Sequence, residues 1–463
     1  MKVRMMMLQQ TSKELNLADA SVSSLIAKFA FPAILANLVG SIYNIADQIF
    51  IGQKLGTVGN AATNIAFPLV LLMTMFSTMI GRGGASQFSL HQGAGDNQKA
   101  EKMIGNSLVA LIVSGVCLMI ATLLFLQPLM RLFGAKGETL ELATEYTRVI
   151  AIGMPFQIFG AGASIFIRAD GSPKYAMISS LVGAVLNVIL DPVFIFGLDM
   201  GMAGAALATI IGQIVGAIIT LSYFRGFKSV RLQKETFIPR LTYLKEICIL
   251  GLPAGLMQIA VMVVQIVMNN TLGFYGEQTI YGRDIPTAVS GVVTKINSIF
   301  TATVMGIGQS CQPIFGYNYG AGKFKRVKET FRTTAIIVTD VSVVSFALFQ
   351  LFPHQILEIF QQGDDLYLSF GTGYLRIFMG AIFVNGITVL VSNFFPSIGM
   401  AKEGMIASLS RQVFFQLPLI LFFPLIWGLD GVLYAGPVAD GLAMLLCLLL
   451  ATKVLKQLDT TNE

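Results

Sequence analysis

The sequence predicts an all-α integral membrane protein in which twelve transmembrane helices form two parallel six-helix repeats. Three observations lead to this fold class: an apolar composition, long uncharged runs, and a motif pattern that occurs twice. Hydrophobic residues make up 54% of the 463 residues and charged residues only 12%, and the mean hydropathy is +0.72. A soluble domain carries about 25% charged residues, so the composition excludes a water-soluble enzyme, a nucleic-acid-binding protein and a disordered chain.

The long apolar runs predict the individual helices, because about 20 mainly apolar residues are needed to cross a bilayer. A transmembrane barrel would instead need segments of about ten residues with alternating polarity. The runs without any Asp, Glu, Lys or Arg are Phe29–Ala46, Gly59–Gly81, Leu108–Leu126, Val149–Ile167, Met200–Phe224, Ile247–Gly276, Ile296–Gly322, Ile377–Ala401 and Gln412–Leu429. Three further runs each contain one aspartate: Tyr175–Phe196, Thr333–Pro353 and Val432–Thr452.

The basic residues predict the orientation of these spans. Of 31 Lys and Arg residues, 24 lie on the side that carries both termini, six lie on the opposite side, and Lys295 lies within a span. Lys and Arg are enriched in cytoplasmic loops. We therefore expect a multi-pass protein with both termini in the cytoplasm.

Several motifs recur at an offset of 221 to about 231 residues, which predicts an internal duplication. The pairs are Pro32 with Pro253, Gly93-Ala-Gly95 with Gly320-Ala-Gly322, Gly171 with Gly399, and Gly197-Leu-Asp199 with Gly428-Leu-Asp430. The basic loop 225–246 divides the chain into lobes 1–224 and 247–463. Six spans per lobe give both lobes one orientation, and such parallel repeats are typical of transporters.

With these motifs in place, the chain resembles the multidrug and toxic compound extrusion (MATE) family, in particular its MepA-like bacterial branch. The resemblance runs from about Val22 to Lys456. It rests on Asn44-Ile-Ala-Asp47, Asn187-Val-Ile-Leu-Asp191-Pro192, Gly308-Gln-Ser-Cys-Gln-Pro313 and Gly316-Tyr-Asn-Tyr-Gly-Ala-Gly-Lys323. It implies multidrug efflux by antiport in a bacterial cytoplasmic (inner or plasma) membrane, with antibiotic resistance as a consequence.

Asp47 and Asp191 are the intramembrane acids that the sequence brings to one level, about 8–9 Å from the outer ends of their helices at 1.5 Å per residue. Asn187 lies one turn from Asp191, and Thr209 reaches a similar depth in the next span. Carboxylates inside a membrane mark ion or substrate paths by default. The oxygens suit a hard monovalent cation such as sodium or a proton, and a structural network around Pro192 is the alternative. The resemblance implies that all four positions form the cation site of the N-terminal lobe.

Two further intramembrane acids lie in the C-terminal half. Asp440 is predicted to be either a second proton or substrate site or a structural residue. Asp340 is predicted to be structural, paired with Lys295 or with a backbone group. The seventh-helix stretch Leu252–Asn270 carries no acid where some members of the family have a glutamate, which disfavours a cation site of that kind in this lobe.

A substrate cavity is predicted from polar, aromatic and thioether side chains on helix faces. Methionine suits promiscuous surfaces, and aromatic faces attract organic cations; ordinary helix packing is the alternative for any one residue. The candidate lining residues are Tyr43, Gln157, Met257, Gln265, Met268 and Gln309.

The energy source is predicted to be an ion gradient, since no G-x-x-x-x-G-K-[ST] motif for ATP occurs. We expect a monomeric exporter of small-molecule drugs or organic cations that exchanges them for H⁺ or Na⁺, needs no cofactor and binds no nucleic acid. The alternative is a flippase for a lipid-linked or amphiphilic substrate. It would need cationic residues in its cavity, for which only Lys295 is a candidate, with Arg82 and Arg411 near the cytoplasmic ends. A passive channel would need a polar ring at a constriction, which acids clustered in one half of the chain do not suit.

Overall fold

The computed structural model describes residue 17, residues 19–358 and residues 365–460, and this part of the chain is almost entirely helical. Eleven helices are long and apolar enough to cross a membrane, and a bent pair of helices completes the twelve predicted spans. We label the spans in chain order: α1 Val22–Gly56, α2 Val58–Gly93, α3 Asn97–Leu124, α4 Gly137–Ala169, α5 Pro173–Gly197, α6 Gly201–Gly226, α7 Leu241–Gly276, α8 Ile285–Gly320, α9 Phe324–Leu351, α10 Asp365–Phe378 with Ile382–Ser397, α11 Ala401–Phe422 and α12 Pro424–Leu458.

Two predicted spans have the wrong boundaries. The two helices of α10 meet at a 50° bend, whereas the sequence predicted one span, Ile377–Ala401. The predicted span Gln412–Leu429 starts 11 residues after α11 begins at Ala401 and runs past its end at Phe422. Both errors arise because uncharged runs defined the spans, and Asp365, Arg376 and Arg411 lie within the real helices.

Two of the repeated glycine motifs adopt the same backbone conformation in both halves, whereas Gly428 has a φ of 56° and Gly197 ends a π-helical turn. Gly95 and Gly322 have φ angles of 81° and 69°, and Gly171 and Gly399 have 79° and 86°. In each case the next residue donates its N–H to a carbonyl five residues earlier, as in Asp96 to His91 at 2.9 Å. Only glycine adopts a left-handed φ without a steric cost, which explains why these glycines occur in pairs.

The described residues form two compact units. The first unit contains the chain up to Leu252 together with Gln309–Thr330 and Ser397–Gly399. The second unit contains Pro253–Gly308, Phe331–Pro396 and the chain from Met400 onward. Unit boundaries fall inside α7, α8 and α9, so each of these helices contributes to both units.

Glycines allow close helix crossings within the first unit. A Cβ atom at Gly81 on α2 would lie 2.8 Å from the carbonyl oxygen of Gly162 on α4. Gly83 on α2 and Gly251 on α7 each face backbone atoms of the opposite helix in the same way. Small residues at such crossings let membrane helices pack by van der Waals contact.

Asp170, in the turn between α4 and α5, anchors the loop that follows α6. Its carboxylate accepts hydrogen bonds from the backbone N–H groups of Lys228 and Ser229, both at 2.8 Å, and from the Tyr223 hydroxyl at 2.7 Å. Burial raises the pKa of Asp170, and these hydrogen bonds partly offset that rise. The first part of the predicted linker 225–246 is therefore attached to the first unit.

Candidate functional site

The close crossing of α5 and α6 positions the first group of candidate residues. A Cβ atom at Gly183 would lie 2.8 Å from the carbonyl oxygen of Gly212, so neither helix tolerates a larger residue here. One turn further along α5, Asn187 donates its amide N–H to the Thr209 hydroxyl on α6 at 3.2 Å. The glycine pair thus explains how a polar contact forms between two otherwise apolar helices.

Asn187 also joins Asp191 to this contact. Its Nδ2 atom lies 3.3 Å from Oδ1 of Asp191, one helical turn away. Asp191 is fully buried and Asn187 is 2% exposed. Asp191 precedes Pro192 and a π-helical turn, Val193–Gly197, in which Leu198 donates to the carbonyl of Val193 at 2.9 Å. Such π-helical turns are frequent at functional sites.

Asp47 approaches the same group from α1. Tyr43, one turn before Asp47 on α1, lines one cavity together with Asn187 and Thr209. Asp47, Asn187, Asp191 and Thr209, which were predicted from separate spans, therefore lie together in the first unit.

Three oxygen atoms in this group are buried and accept no hydrogen bond: Oδ1 of Asp47, Oδ2 of Asp191 and Oδ1 of Asn187. Leaving a buried acceptor unsatisfied costs about 1–3 kcal/mol, and more when it is charged. It is therefore costly for both carboxylates to be charged at the same time. A proton on one of them, or a bound cation, would relieve this cost.

A cavity of about 220 Å³ adjoins these oxygens. Tyr43, Asn187 and Thr209 line it, together with Gln157 on α4 and Gln213 on α6. Oε1 of Gln213 is also buried without a hydrogen-bond partner. Two of the six predicted lining residues, Tyr43 and Gln157, are thus in this cavity.

The second unit holds a different arrangement around Asp440. Asp440 is 3% exposed and forms an ion pair with the Nε atom of Arg411 on α11. The sequence did not predict this pairing: Arg411 was expected near the cytoplasmic end of its span, whereas it lies in the middle of α11, Ala401–Phe422. Its guanidinium lines a cavity of about 110 Å³, which Gln265 and Met268 also line.

The remaining predicted residues lie elsewhere. Gln309 borders a space of about 10 Å³ beside Arg168 in the first unit, and Met257 lines none of these three cavities. Asp340 and Lys295 are both exposed and form no ion pair with each other within the described ranges. The predicted pairing of Asp340 with Lys295 is therefore wrong.

Sequence reasoning missed Gln416 and Gln412, which line the cavity of the second unit beside Arg411. The repeat offset could have found Gln416. The offsets of 228 at Gly171 and Gly399 and of 231 at Gly197 and Gly428 place the counterpart of Asn187 within residues 415–418, which include Gln416, and the offset of 231 places Asp440 opposite Thr209. Arg411 has no such signal, because its counterpart in α5 is apolar.

Two parallel six-span repeats with buried acids beside an intramembrane cavity define a membrane transporter rather than an enzyme. The sequence profile of the MatE family matches residues 32–193 and again residues 253–422. The chain belongs to the MatE family. The two matches begin at the residues of the Pro32 and Pro253 pair, which confirms the duplication.

Characterised relatives and solved structures agree with this assignment. The chain is 27% identical over 423 residues to the multidrug export protein MepA of Staphylococcus aureus, which covers 91% of this chain and 92% of the relative. The Staphylococcus saprophyticus protein of the same name is 26% identical over 93% of this chain and 94% of its own. A ligand-bound structure of the MATE multidrug transporter DinF-BH matches with a TM-score of 0.86 and 35% identity, covering 95% of this chain and 96% of that one. An outward-facing MATE family transporter matches in fold with a TM-score of 0.90 at 24% identity, over 97% and 99% of the two chains.

Proposed function

We propose that this protein is a secondary active multidrug exporter that expels organic, often cationic and aromatic, compounds in exchange for protons or sodium ions. The observation that carries the proposal is the set of unpartnered buried oxygens on Asp47, Asp191 and Asn187. Two carboxylates at one site in a membrane are energetically costly, so their presence indicates a functional role. Asn187, which is hydrogen-bonded to Asp191, lines a cavity whose described lining groups are all neutral.

The chemistry of this group fits the coupling ions. Carboxylate, amide and hydroxyl oxygens are the donors that hard cations prefer, and the four residues Asp47, Asn187, Asp191 and Thr209 supply all three. A proton on one carboxylate would relieve the same repulsion. An ion shifts a conformational equilibrium only by its differential affinity for the two states, so coupling follows if this site is formed differently in the inward-open and outward-open states.

The proposed mechanism is alternating access of two lobes, residues 1–224 and 247–463, joined by the loop 225–246. Pro32 in α1 and Pro253 in α7 each remove a helix hydrogen bond, which permits bending. The distribution of Lys and Arg supports cytoplasmic termini. In intact cells, Lys323→Cys should resist an impermeant thiol reagent until the membrane is opened; labelling from outside would overturn this topology.

The proposed substrate class is supported by the cavity of the first unit and by the relatives. Tyr43 and Phe156 offer aromatic groups and Gln157 offers a neutral polar one. Aromatic faces attract organic cations, and more strongly when water is excluded. The relatives carry the name multidrug export protein, and the solved structure with 35% identity is titled as a MATE multidrug transporter in complex with a ligand.

Ethidium transport into proteoliposomes, with sodium and proton gradients imposed independently, tests the proposal. The gradient that drives accumulation identifies the coupling ion. Asp47→Asn and Asp191→Asn should each reduce gradient-driven accumulation about a hundredfold or more, while ethidium binding to the purified protein survives.

Asp340→Asn is the matched control, because Asp340 is an intramembrane acid that is exposed on α9. It should transport ethidium at close to the wild-type rate. Wild-type accumulation by both Asp47→Asn and Asp191→Asn would contradict the coupling role. Movement of an amphiphilic substrate that needs no ion gradient would favour a flippase instead.

A further inference from the structure

The cavity of the second unit is bounded by donor groups and by a single charged side chain. Arg411 is the only Asp, Glu, Lys, Arg or His among the described residues that line it; the rest of the polar lining consists of amides and hydroxyls. These neutral groups belong to Gln265, Ser290, Thr294, Asn297, Tyr374, Gln412 and Gln416. No carboxylate lines this cavity within the described part of the chain.

The guanidinium of Arg411 has hydrogen-bonding capacity to spare. Its Nε atom donates to Asp440, which is 3% exposed and is not part of the cavity lining. An arginine carries five N–H donors in a planar fork, and the other four have no partner among the described residues. The counter-ion thus lies behind the guanidinium, and the free donors are available to the cavity.

Two amides beside Arg411 are also incompletely bonded. Gln416 is 3% exposed, and its Oε1 atom is buried without a partner. The same holds for Oδ1 of Asn297. An amide can rotate about its last torsion to present either its N–H groups or its oxygen, so both residues can adapt to a bound polar group. A buried amide with unused bonding capacity costs stability, which a ligand would recover.

A π-helical turn places these groups on one face of α11. The turn covers Ser410–Gln416, and Leu417 donates to the carbonyl of Gln412, five residues earlier. Residues five apart, such as Arg411 and Gln416, lie about 140° apart in an α-helix but come close together in a turn with i to i+5 bonding. This local backbone conformation therefore creates the polar wall.

The repeat makes this cavity the counterpart of the cation site in the first unit. The offset of 221 residues between Pro32 and Pro253 places Met268 opposite Asp47, and the offsets of 228 to 231 around the fifth span place the apolar residues 419–422 opposite Asp191. Residues 415–418, which include Gln416, stand opposite Asn187, and Asp440 stands opposite Thr209. The second unit thus lacks both carboxylates of the first and has a guanidinium in addition.

We propose that this cavity binds the carboxylate group of a small organic anion, with Arg411 and the amides of Gln412 and Gln416 as donors. Guanidinium and carboxylate form paired, charge-assisted hydrogen bonds. Met268, Phe378 and Met379 offer an apolar surface for the body of the molecule. The cavity of about 110 Å³ has room for about four water molecules at roughly 30 Å³ each, which is the size of a carboxylate with a small apolar body. The site is separate from the proposed ion coupling in the first unit.

Three probes of nearly equal shape and different charge test this proposal: benzoate, benzamide and benzylammonium. Binding to the purified full-length protein is measured by calorimetry, without any ion gradient, so a failure of ion coupling does not affect the result. Benzoate should bind at least about tenfold more tightly than benzamide, and benzylammonium should bind most weakly.

Variants assign the binding to this cavity. The double variant Arg411→Gln/Asp440→Asn keeps a neutral polar pair and should weaken benzoate binding about ten- to hundredfold. Gln416→Leu leaves the ion pair intact and should weaken it several-fold. Asp440→Asn leaves Arg411 without its counter-ion, so benzoate should bind more tightly and raise the melting temperature by more than it does for the wild type.

Asp340→Asn is the control in the same unit and should bind benzoate like the wild type. Benzamide binding as tight as benzoate binding would overturn the proposal. So would benzoate affinity that is unchanged in both Arg411→Gln/Asp440→Asn and Gln416→Leu, or the absence of benzoate binding at millimolar concentration.

Discussion

In the first unit, Asp47, Asp191 and Asn187 each have a buried oxygen without a partner, and the cavity that Asn187 lines has no charged group among its described lining residues. In the second unit, the cavity between α7, α8, α10 and α11 is lined by Arg411, whose counter-ion Asp440 is buried and does not line it. Each fifth span contains a π-helical turn, Val193–Gly197 and Ser410–Gln416, at different positions of the repeat. The glycine turns at Gly95 and Gly322 and at Gly171 and Gly399 were preserved by the duplication, whereas the charges diverged.

This difference shows that the residues required by a backbone turn can be retained in both copies while the charged side chains change. Paired glycines with positive φ are needed wherever the same turn is made, so both copies retain them. A buried charge, in contrast, is tolerated only when something compensates for it. The second unit supplies the compensation internally, through Arg411. The first unit has no such internal partner at Asp47 Oδ1 and Asp191 Oδ2, and under the proposed function a proton or a cation supplies the compensation.

The largest expected effect is a difference in thermal stability between a variant of the second unit and a variant of the first. Asp440→Ala leaves the buried guanidinium of Arg411 unpaired and should destabilise the protein by about 3–5 kcal/mol. Asp191→Asn removes a carboxylate that has no counter-ion, so the melting temperature in detergent should stay equal or rise. Thermal unfolding of both variants measures the contrast. Equal destabilisation by the two substitutions would remove the distinction between a structural acid and a coupling acid.

The double variant Arg411→Met/Asp440→Leu sharpens this result. Replacing a complete buried ion pair by apolar residues of similar volume is often neutral or stabilising. Its melting temperature should therefore lie near that of the wild type and well above that of Asp440→Ala. A melting temperature as low as that of Asp440→Ala would show that packing, not charge, explains the loss.

A smaller effect is expected where α5 crosses α6. Gly183→Ala puts a Cβ atom 2.8 Å from the carbonyl oxygen of Gly212, which separates the helices and stretches the Asn187–Thr209 hydrogen bond. Overpacking of this kind costs about 1–3 kcal/mol, and gradient-driven ethidium transport should fall several-fold.

Gly441→Ala is the matched change in the second unit, because no atom lies within 4 Å of the added Cβ. It should stabilise α12 by up to about 1 kcal/mol, as alanine favours the helix over glycine. A tolerated Gly183→Ala, or a damaging Gly441→Ala, would contradict the role given to close helix contact at the first site.

The smallest effect concerns the methionines. Met268 lines the cavity of the second unit, whereas Met257 lines none of the three cavities. Met268→Ala should change the relative transport of different compounds by about two- to fivefold without abolishing export, since a flexible thioether is one of many apolar contacts. Met257→Ala should change the preference less. Loss of all transport in Met268→Ala at normal expression would indicate a narrow site instead.

Sequence reasoning predicted the twelve spans and the repeat because both depend on patterns that survive without tertiary contacts. Asp47, Asn187, Asp191 and Thr209 could be grouped by depth, since helical rise converts position into height in the membrane. Helix rotation and partner choice could not be obtained in this way. Arg411 looked like a charge at a helix end, and only the structure shows its pairing with Asp440.

The span boundaries failed for the same reason. A rule based on uncharged runs cuts off the part of a helix that contains charged residues. The span α11 was therefore predicted to start at Gln412, whereas it starts at Ala401. The predicted cavity was likewise one set of six residues, whereas the structure divides Tyr43 and Gln157 from Gln265 and Met268. Composition identifies side chains that suit a cavity, but it does not say which cavity they line.

The most direct test of the difference between the units is gradient-driven ethidium accumulation in proteoliposomes that contain either Asp191→Asn or Arg411→Gln/Asp440→Asn. Both variants remove a buried carboxylate, and both are compared with the wild type at equal protein content. Asp191→Asn should accumulate no ethidium above the passive level. Arg411→Gln/Asp440→Asn should retain at least about half of the wild-type rate, a loss well under about 1.4 kcal/mol, because this ion pair takes no part in the proposed ion coupling. Loss of accumulation in Arg411→Gln/Asp440→Asn with wild-type accumulation in Asp191→Asn would place the coupling acid in the second unit and contradict the account.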